Sequence, residues 1–259
     1  MTTATTVTIL GSGTCVPSLT RSACAVLVRT GTEKILFDVG PGTMRRLLEA
    51  DVSIFDITRI FLSHFHPDHA GELVSFLFSN KYSRGMRRTR PLTLVAGEGV
   101  LSFFNGLKAV FGEWIVLPPG LFELKSLNTT GPDTVLFNNI RVDSIPVVHR
   151  PESLAFRLTG EDGKSVVYSG DTDESDALVA LSKGADLLIC EASLPDELKT
   201  ENHLTPSRAG RIGTLAQVGK LVLTHLYPEC ETADMIGQCR KTYNGPLVLA
   251  EDLMSIVIP

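Results

Sequence analysis

Short apolar runs recur along the whole chain and alternate with longer segments of helical periodicity. About eleven of these runs have the length of strands and are rich in β-branched and aliphatic residues. They are VTIL, CAVLV, KILFDV, RIFLS, LTLVA, RVDSIPVV, LAFRL, SVVYS, DLLIC, KLVLT and LVLA. Strands that alternate with helices predict a layered α/β architecture, with the sheets inside and the helices outside.

Six segments between these runs predict helices, because apolar residues recur in them every three or four positions. The segments are Thr43–Glu49, Asp68–Ser79, Val100–Phe111, Asp173–Leu181, Pro206–Ala216 and Thr232–Tyr243. The chain shows no change of composition, no linker rich in proline or serine, and no short repeat. We therefore predict a single domain over residues 1–259.

Composition and charge limit the class of partner. A hydrophobic fraction of 43% supports a buried core, and a net charge of -5 disfavours broad binding to nucleic acid or to anionic lipid. The five cysteines are widely spread, which favours a reducing compartment over a disulfide framework. The sequence shows neither a secretory signal nor the ~18 uninterrupted apolar residues of a membrane span. A cytoplasmic protein without a membrane partner is the expectation.

The stretch LSHFHPDHAGE contains three of the six histidines of the chain. His64 and His66 alternate by two on an extended segment, so their side chains face the same way. Pro67 suits the first position of a helix, which places Asp68 and His69 on its first turn. Four unpaired polar groups at one buried corner would be costly without a ligand. The cluster therefore predicts a metal site.

Four apolar runs each end in a residue that can bind a metal. RIFLS leads to His64, SIPVV to His149, VVYSG to Asp171 and LVLT to His225. Open α/β sheets place their sites at the carboxyl ends of strands, so these side chains are expected to converge. Imidazoles and carboxylates without an obvious thiolate suit zinc first, with manganese or iron as alternatives. Taken alone, His149 or His225 is more typical of a loop or core histidine.

This order of motifs resembles the metallo-β-lactamase superfamily, over residues from about 7 to 251. The resemblance implies a four-layered αβ/βα sandwich and a dinuclear metal site. It implies that one ion is bound by His64, His66 and His149, and the other by Asp68, His69 and His225, with Asp171 bridging. Two cations ~3.5–4 Å apart would lower the pKa of a bridging water towards ~7 and yield hydroxide. Asp68 is expected to orient that hydroxide.

Four further stretches resemble the ribonuclease Z group and the smaller phosphodiesterases related to it. They are GSGTCVPSLTRSA, LFDVGPGTMRRLL, CEASL and ENHLTPSRAG. By this resemblance, His203 contacts a phosphoryl oxygen or protonates the leaving group, a role that needs a pKa near the working pH. The alternative interpretation of His203 is a neighbour of a helix cap on a solvated loop.

The chain also departs from the members of this group that process tRNA. Only twenty-one residues separate His149 from Asp171, which leaves no room for the long arm that grips tRNA in those members. Cys190 stands where they have histidine, and Pro67 stands where they commonly have glycine. Cleavage at the 3′ end of tRNA is therefore disfavoured.

One basic run, NKYSRGMRRTR, follows the helix that begins at the cluster. Arg84, Arg87 and Arg88 are predicted to form a rim that attracts phosphate groups and binds the substrate. A solvated loop is the alternative interpretation.

These observations predict a hydrolase with two divalent ions that acts on small phosphodiesters or nucleotides through a metal-bridging hydroxide, with Asp68 and His203 as catalytic residues. Hydrolysis of a carboxylic ester, a lactone or an organophosphate triester is the first alternative, because the same hydroxide attacks carbonyl carbon. A tRNA 3′-processing endonuclease and a non-catalytic metal-binding module are further alternatives. The expected partner is a small molecule, nucleic acid is disfavoured, and the related enzymes suggest a homodimer.

Overall fold

The computed structural model describes residues 4–83, 85, 87–138 and 140–258. Fourteen strands lie in this part of the chain: β1 Thr6–Gly11, β2 Ala25–Thr30, β3 Glu33–Phe37, β4 Arg59–Leu62, β5 Leu92–Gly97, β6 Phe122–Leu127, β7 Asp133–Phe137, β8 Ile140–Pro146, β9 Leu154–Thr159, β10 Ser165–Tyr168, β11 Leu187–Glu191, β12 Leu221–Thr224, β13 Leu247–Leu249 and β14 Ser255–Val257. Seven α-helices accompany them: α1 Thr43–Glu49, α2 Pro67–Ala70, α3 Leu73–Tyr82, α4 Val100–Phe111, α5 Asp176–Ser182, α6 Pro206–Ala216 and α7 Met235–Arg240. Short 3₁₀ helices cover Ile54–Asp56, Gly112–Ile115, Asp196–Leu198 and Pro228–Glu231.

The strands form two seven-stranded sheets, ordered β14-β1-β2-β3-β4-β5-β6 and β13-β12-β11-β10-β9-β8-β7. In the first sheet the strands from β3 to β6 are parallel, and in the second sheet the strands from β10 to β13 are parallel. The remaining pairs are antiparallel. Each sheet therefore has one half in which the carboxyl ends of neighbouring strands meet at a common edge.

Three apolar layers hold the sheets and helices together. The inner layer lies between the sheets, where Phe61 of the first sheet meets Phe156 of the second with ring centroids 5.3 Å apart. Ile60 and Leu62 point to the opposite face of β4 and pack under α1, α3 and α4. A third layer packs α5, α6 and α7 on the second sheet. This is the predicted αβ/βα sandwich, and the sequence prediction of the fold is confirmed.

All eleven predicted strands are present, but three further strands were missed. They are β6, β7 and β14, and each lies at the edge of its sheet. An edge strand leaves one side open to solvent and tolerates polar residues, as in FELKSL and DTVLF, where most positions are exposed or half-buried. The strand pattern in the sequence is therefore weaker at the edges than in the centre.

Three of the six predicted helices were placed correctly at both ends, and three were not. The predicted helix Asp68–Ser79 is divided at residues 71 and 72 into α2 and α3. Helix α5 begins at Asp176, because the Ser175 hydroxyl caps it by accepting from the Leu178 amide at 3.2 Å. Helix α7 is shorter than predicted at both ends. Across the described ranges, no helix combines the length and the apolar character needed to cross a membrane.

Candidate metal centre

The predicted metal ligands arrive from four strand ends, one in the first sheet and three in the second. Strand β4 leads through Ser63 to His64, and strand β12 leads directly to His225. Strand β8 is followed by His149 and strand β10 by Asp171. The chain after β4 turns into α2 with Pro67 at its first position, as the sequence predicted, and this turn supplies the remaining three residues of the cluster.

Asp171 lies at the centre of these side chains, and its two carboxylate oxygens face different histidines. Its Oδ2 atom lies 3.7 Å from the Nε2 atoms of both His64 and His149. Its Oδ1 atom lies 3.1 Å from Nε2 of His69 and 3.3 Å from Nε2 of His225. We refer to these as the Oδ2 side and the Oδ1 side of Asp171. The carboxylate thus joins two separate sets of imidazoles.

His66 completes the Oδ2 side. Its Nδ1 atom is 3.3 Å from Nε2 of His149, and its ring centroid is 4.5 Å from that of His64. Potential ligand atoms of His64, His66, His149 and Asp171 all lie within 4.8 Å of one another. The division of the histidines between the two sides is the one that the family resemblance implied.

The innermost polar atoms of the centre have no well-aligned hydrogen-bond partner, although Oδ1 of Asp171 and Nε2 of His69 approach to 3.1 Å. These innermost atoms are buried, and they are Nε2 of His64, Nε2 of His69, Nε2 of His225 and Oδ1 of Asp171. Buried polar atoms without partners are costly and rare in native proteins. Three unpaired imidazole nitrogens around one carboxylate form the donor set that divalent ions such as zinc bind. The residues present therefore fit a pair of metal ions.

The opposite ring nitrogens are held by a buried network. Nδ1 of His69 lies 2.7 Å from Oδ2 of Asp38, and the Tyr168 hydroxyl donates to the same oxygen at 2.6 Å. The Ser63 amide donates to Oδ1 of Asp38 at 2.7 Å, and the Ser63 hydroxyl lies 3.0 Å from Nδ1 of His64. Such partners fix the tautomer and orientation of ligand histidines. The sequence analysis missed Asp38 and Tyr168.

The two histidines that come late in the chain are oriented by different kinds of partner. Nδ1 of His225 lies 2.8 Å from the Ser193 hydroxyl, which is buried. Nδ1 of His149 lies 3.0 Å from the backbone carbonyl of Asn202, an exposed loop residue. The ring of His225 is thus fixed from inside the protein, and the ring of His149 from its surface.

Burial and charge set the protonation of these groups. Burial, with the neighbouring His69, lowers the pKa of His64 to about 2, so its imidazole is neutral. Burial alone would lower the pKa of His69, but the charges of Asp171 and Asp38 raise it well above its ordinary value. Burial alone would raise the pKa of Asp171, but the charges of His225 and His69 hold it well below its ordinary value. The Asp171 carboxylate is therefore ionised, and bound cations would neutralise its buried negative charge.

Asp68 lies at the margin of the Oδ1 side. Its Oδ2 atom is 3.6 Å from Nε2 of His225. Burial would raise the pKa of this carboxyl group, but the interactions with His225 and His69 outweigh burial and lower it to about 2. Within the part of the chain that the structure describes, Asp68 belongs to none of the groups of three or more mutually close ligand atoms. It is an ionised carboxylate beside the centre.

His203 stacks its ring on that of His225 at a centroid distance of 5.5 Å. Potential ligand atoms of His203, His225 and Asp171 also lie within 4.8 Å of one another. The Nδ1 atom of His203 is 3.2 Å from Oε1 of the buried Glu191, which leaves Nε2 free. Burial lowers the pKa of His203, but the hydrogen bond and charge of Glu191, together with Asp171, produce a net rise. The sequence analysis missed Glu191, although it quoted the CEASL stretch that contains it.

A cysteine also reaches the Oδ1 side. Potential ligand atoms of Cys24, His69 and His225 lie within 4.8 Å of one another, and all three residues are buried. Burial, followed by the charges of Asp171 and Asp38, raises the pKa of the Cys24 thiol well above its ordinary value. The sequence analysis counted this cysteine only as one of five widely spread residues.

The basic run lies apart from the centre. Arg88 is buried and donates to the carbonyl oxygens of Ile57 and Ile54, both at 2.7 Å, so its guanidinium supports the fold. Arg87 is exposed beside a cavity of about 690 Å³ that none of the predicted metal ligands lines. Arg84 lies outside the described residues. The ten residues of α3 place this run roughly 15 Å along the helix from the metal corner.

Comparison with known proteins agrees with this geometry. The sequence model of the metallo-beta-lactamase superfamily matches residues 21–225. The chain belongs to the metallo-β-lactamase superfamily. It is a hydrolase of that superfamily, whose fold implies divalent metal ions.

Three relatives show how similar the chain is to known members. Ribonuclease Z of Methanosarcina acetivorans is 30% identical, and the match covers 98% of each chain. The crystal structure of human tRNase Z, short form, is 28% identical with a TM-score of 0.78, covering 98% of this chain and 99% of that chain. The metallo-beta-lactamase fold protein YhfI from Bacillus subtilis has a TM-score of 0.83 at 20% identity, covering 98% and 100%. The resemblance to the ribonuclease Z branch is confirmed.

These relatives also change one expectation. Nucleic acid was disfavoured as a partner because the net charge is -5 and because only twenty-one residues separate His149 from Asp171. Relatives named ribonuclease Z do not support that exclusion. RNA therefore has to be considered beside small molecules as a substrate.

Proposed function

We propose that this chain hydrolyses small phosphodiesters or nucleotides at a centre of two divalent ions joined by Asp171. The observation that carries the proposal is the division of the Asp171 carboxylate, with Oδ2 facing His64 and His149 and Oδ1 facing His69 and His225. His66 would complete the first set, and Asp68 was expected to complete the second. When bound, the ions would activate water and neutralise charge on the substrate.

Asp68 and His203, which both lie beside His225, would perform the proton transfers. The ionised Asp68 carboxylate can accept a hydrogen bond from the attacking water and hold it in position. Glu191 accepts from Nδ1 of His203, which leaves the Nε2 proton for the departing alcohol. Against the effect of burial, Glu191 and Asp171 raise the pKa of His203, which extends to higher pH the range in which the ring keeps that proton. Asp68 as the base and His203 as the acid suit a displacement at phosphorus, in which water attacks and an alcohol departs.

Two features favour a small substrate. Asp68 lines a cleft of about 360 Å³ together with Thr14, Cys15 and Pro41, within the usual size of small-molecule sites. Between His149 and Asp171 the chain forms only the β9–β10 pair with a tight turn at residues 160–164. The alignment with the Methanosarcina ribonuclease Z spans 302 positions, more than the 259 residues of this chain, so that relative contains insertions that this chain lacks.

One alternative substrate is supported by the comparisons, and a second follows from the chemistry of metal-activated water. RNA is favoured by the relatives named ribonuclease Z. Carboxylic esters, lactones and organophosphate triesters remain candidates, because the same activated water attacks either carbon or phosphorus. Zinc is the first choice of metal, with manganese and iron as alternatives.

A substrate panel with metal analysis tests the proposal. The panel would contain bis(p-nitrophenyl) phosphate, p-nitrophenyl acetate and an unprocessed tRNA transcript, with zinc, manganese and iron each supplied to metal-free protein. We expect turnover of the phosphodiester and two ions per chain. Turnover of the acetate alone, or of the tRNA alone, would reverse the order of candidates. Two bound ions without turnover on any ester would support a non-catalytic metal-binding module.

Variants separate the proposed roles. His203→Ala should keep both ions while turnover falls by about 10²- to 10⁴-fold, the usual contribution of a proton donor. Lys199→Ala is the matched control, because Lys199 lies on the same loop and pairs instead with Asp173 at 2.7 Å. Loss of an ion in His203→Ala would instead make His203 a metal ligand.

Three further expectations are proposals. A single domain over residues 1–259 and a cytoplasmic location follow from the sequence alone, and a homodimer is the third.

A homodimer would need an apolar surface. One is present where Phe78, Tyr82 and Trp114 are exposed with ring centroids 5.0–6.3 Å apart. Sedimentation of wild type and Trp114→Ala would test the dimer.

A further inference from the structure

The Oδ1 side of Asp171 contains a sulfur atom that the family pattern does not assign. Cys24 immediately precedes β2, and its backbone carbonyl accepts from the Gly40 amide at 3.0 Å. Its potential ligand atom and those of His69 and His225 lie within 4.8 Å of one another. Tetrahedral zinc with bonds of ≈ 2.3 Å to sulfur and ≈ 2.0 Å to nitrogen keeps its donors within that range.

In both histidines of this group, Nδ1 has a partner and Nε2 is available to bind a metal. Nδ1 of His69 is engaged by Asp38 and Nδ1 of His225 by Ser193. Their Nε2 atoms are buried and have no partner. A sulfur beside these two imidazole nitrogens makes a set of three donors of the types that zinc binds.

A purely structural role for Cys24 is the alternative. Its thiol lies 3.3 Å from the carbonyl oxygen of Gly13, a weak hydrogen bond, and buried cysteines often act as small apolar fillers. The surroundings of this sulfur are not apolar, however, because the charges of Asp171, Asp38 and Asp68 act on it and, after burial, raise the pKa of the thiol. A cation between the sulfur and these carboxylates would make this placement favourable.

We propose that Cys24 is a thiolate ligand of the ion on the Oδ1 side, together with His69 and His225. The inference rests on the proposed two-ion centre. Ion binding would break the S–H bond, form a metal–sulfur bond and release the proton to water. Asp68, which lies outside this group, would remain free to position water. A thiolate favours zinc over manganese, so the two sides of Asp171 would differ in metal preference.

Cobalt spectroscopy tests this inference without relying on activity. Metal-free protein would be titrated with Co²⁺, bound cobalt counted, and the spectrum recorded. We expect two ions per chain and a near-ultraviolet band of sulfur-to-cobalt charge transfer. Cys24→Ala should lose this band, whereas the matched control Cys190→Ala, equally buried in the helical layer of the second sheet, should retain it.

The outcomes are distinguishable. Two cobalt ions with no charge-transfer band in the wild-type protein would overturn the Cys24 ligand and leave the proposed function standing. Fewer than two cobalt ions would overturn the two-ion centre and this inference with it. Retention of the band in Cys24→Ala would also overturn it. Competition between Zn²⁺ and Mn²⁺ gives a second readout, because Cys24→Ala should reduce the preference for zinc by about tenfold or more.

Discussion

The two sides of Asp171 both present histidines but differ in how those histidines are supported. On the Oδ1 side, His69 and His225 are both almost completely buried. On the Oδ2 side, His66 and His149 are only half-buried. On the Oδ1 side, Nδ1 of His69 contacts the buried Asp38 carboxylate at 2.7 Å. On the Oδ2 side, Nδ1 of His149 contacts the backbone carbonyl of the loop residue Asn202 at 3.0 Å. The Oδ1 position is therefore enclosed by the core, whereas the Oδ2 position combines the buried His64 with two histidines nearer the surface.

This difference predicts different behaviour of the two ions. Ligands held by a buried and fully satisfied carboxylate lose little freedom on binding, which favours affinity. Ligands near solvent allow an ion to exchange and a substrate to approach. We therefore expect the ion on the Oδ1 side to bind more tightly and the ion on the Oδ2 side to leave first when a chelator is added.

The largest effect is expected from Asp171→Asn, which removes the carboxylate shared by both sides. Both ions should be lost or weakened, and turnover should fall roughly a thousandfold, because metal activation is worth several kcal/mol. Metal analysis and single-turnover rates check this result. Asp143→Asn is the control, since its carboxylate pairs with Arg141 at 2.7 Å outside the centre. Retention of one tightly bound ion in Asp171→Asn would show that the two sides are independent.

Asp38→Asn should discriminate between the sides. The substitution removes the acceptor that orients His69, and affinity for the ion on the Oδ1 side should fall about 10- to 100-fold. The ion on the Oδ2 side should be weakened less, because Asp38 reaches that side only through the Ser63 hydroxyl, which donates to Asp38 at 2.8 Å and lies 3.0 Å from Nδ1 of His64. Nδ1 of His149 contacts the carbonyl of Asn202 instead. Stepwise titration with a chelator measures each affinity. Equal weakening of both ions would contradict the comparison.

Glu191→Gln should change the pH dependence of turnover. Against the effect of burial, Glu191 raises the pKa of His203, so the proton donor persists above the ordinary histidine pKa and is lost as pH rises through the raised value. Removing the charge should lower that pKa, move the alkaline limb of the profile to lower pH, and reduce the rate there by about an order of magnitude. A profile of kcat against pH checks the sign. An alkaline limb that stays in place would assign it to another group.

Arg87→Ala should have the smallest effect. Arg87 belongs to neither side of Asp171, so it can act only through the long-range field that attracts a phosphate. We expect KM to rise by roughly twofold at low salt, with kcat unchanged and the difference removed by salt. A fall in kcat would mean that the basic run closes over the centre.

The sequence predicted the site well where the residue types are rare and the strands are central. Three histidines directly after β4 would be costly to bury without a ligand, and His149, Asp171 and His225 follow runs whose strand character is strong. The geometry of parallel strands then implies convergence. The structure places these residues together, and their roles as ligands remain predictions.

The supporting residues could not be found in the same way. Asp38, Glu191 and Cys24 each lie at a strand end, but carboxylates and single cysteines are common there and carry no local signal. Their roles depend on pairs formed across the fold, such as the 2.7 Å contact between Asp38 and His69. The edge strands β6, β7 and β14 escaped prediction for another reason, because a strand with one open side tolerates polar residues that weaken its sequence pattern.

The strand order of the first sheet has a consequence for how the protein matures. Strands β1 to β6 of this sheet are synthesised first. The edge strand β14, residues Ser255–Val257, pairs with β1 but is synthesised after all the other strands of the sheet. His225 likewise joins the histidines of β4 only after most of the chain has been synthesised. Domains generally fold as units during translation. On the proposed assignment, the residues of the Oδ2 side are all synthesised by Asp171, whereas the Oδ1 side stays incomplete until His225. The two positions would therefore become able to bind an ion at different stages of translation.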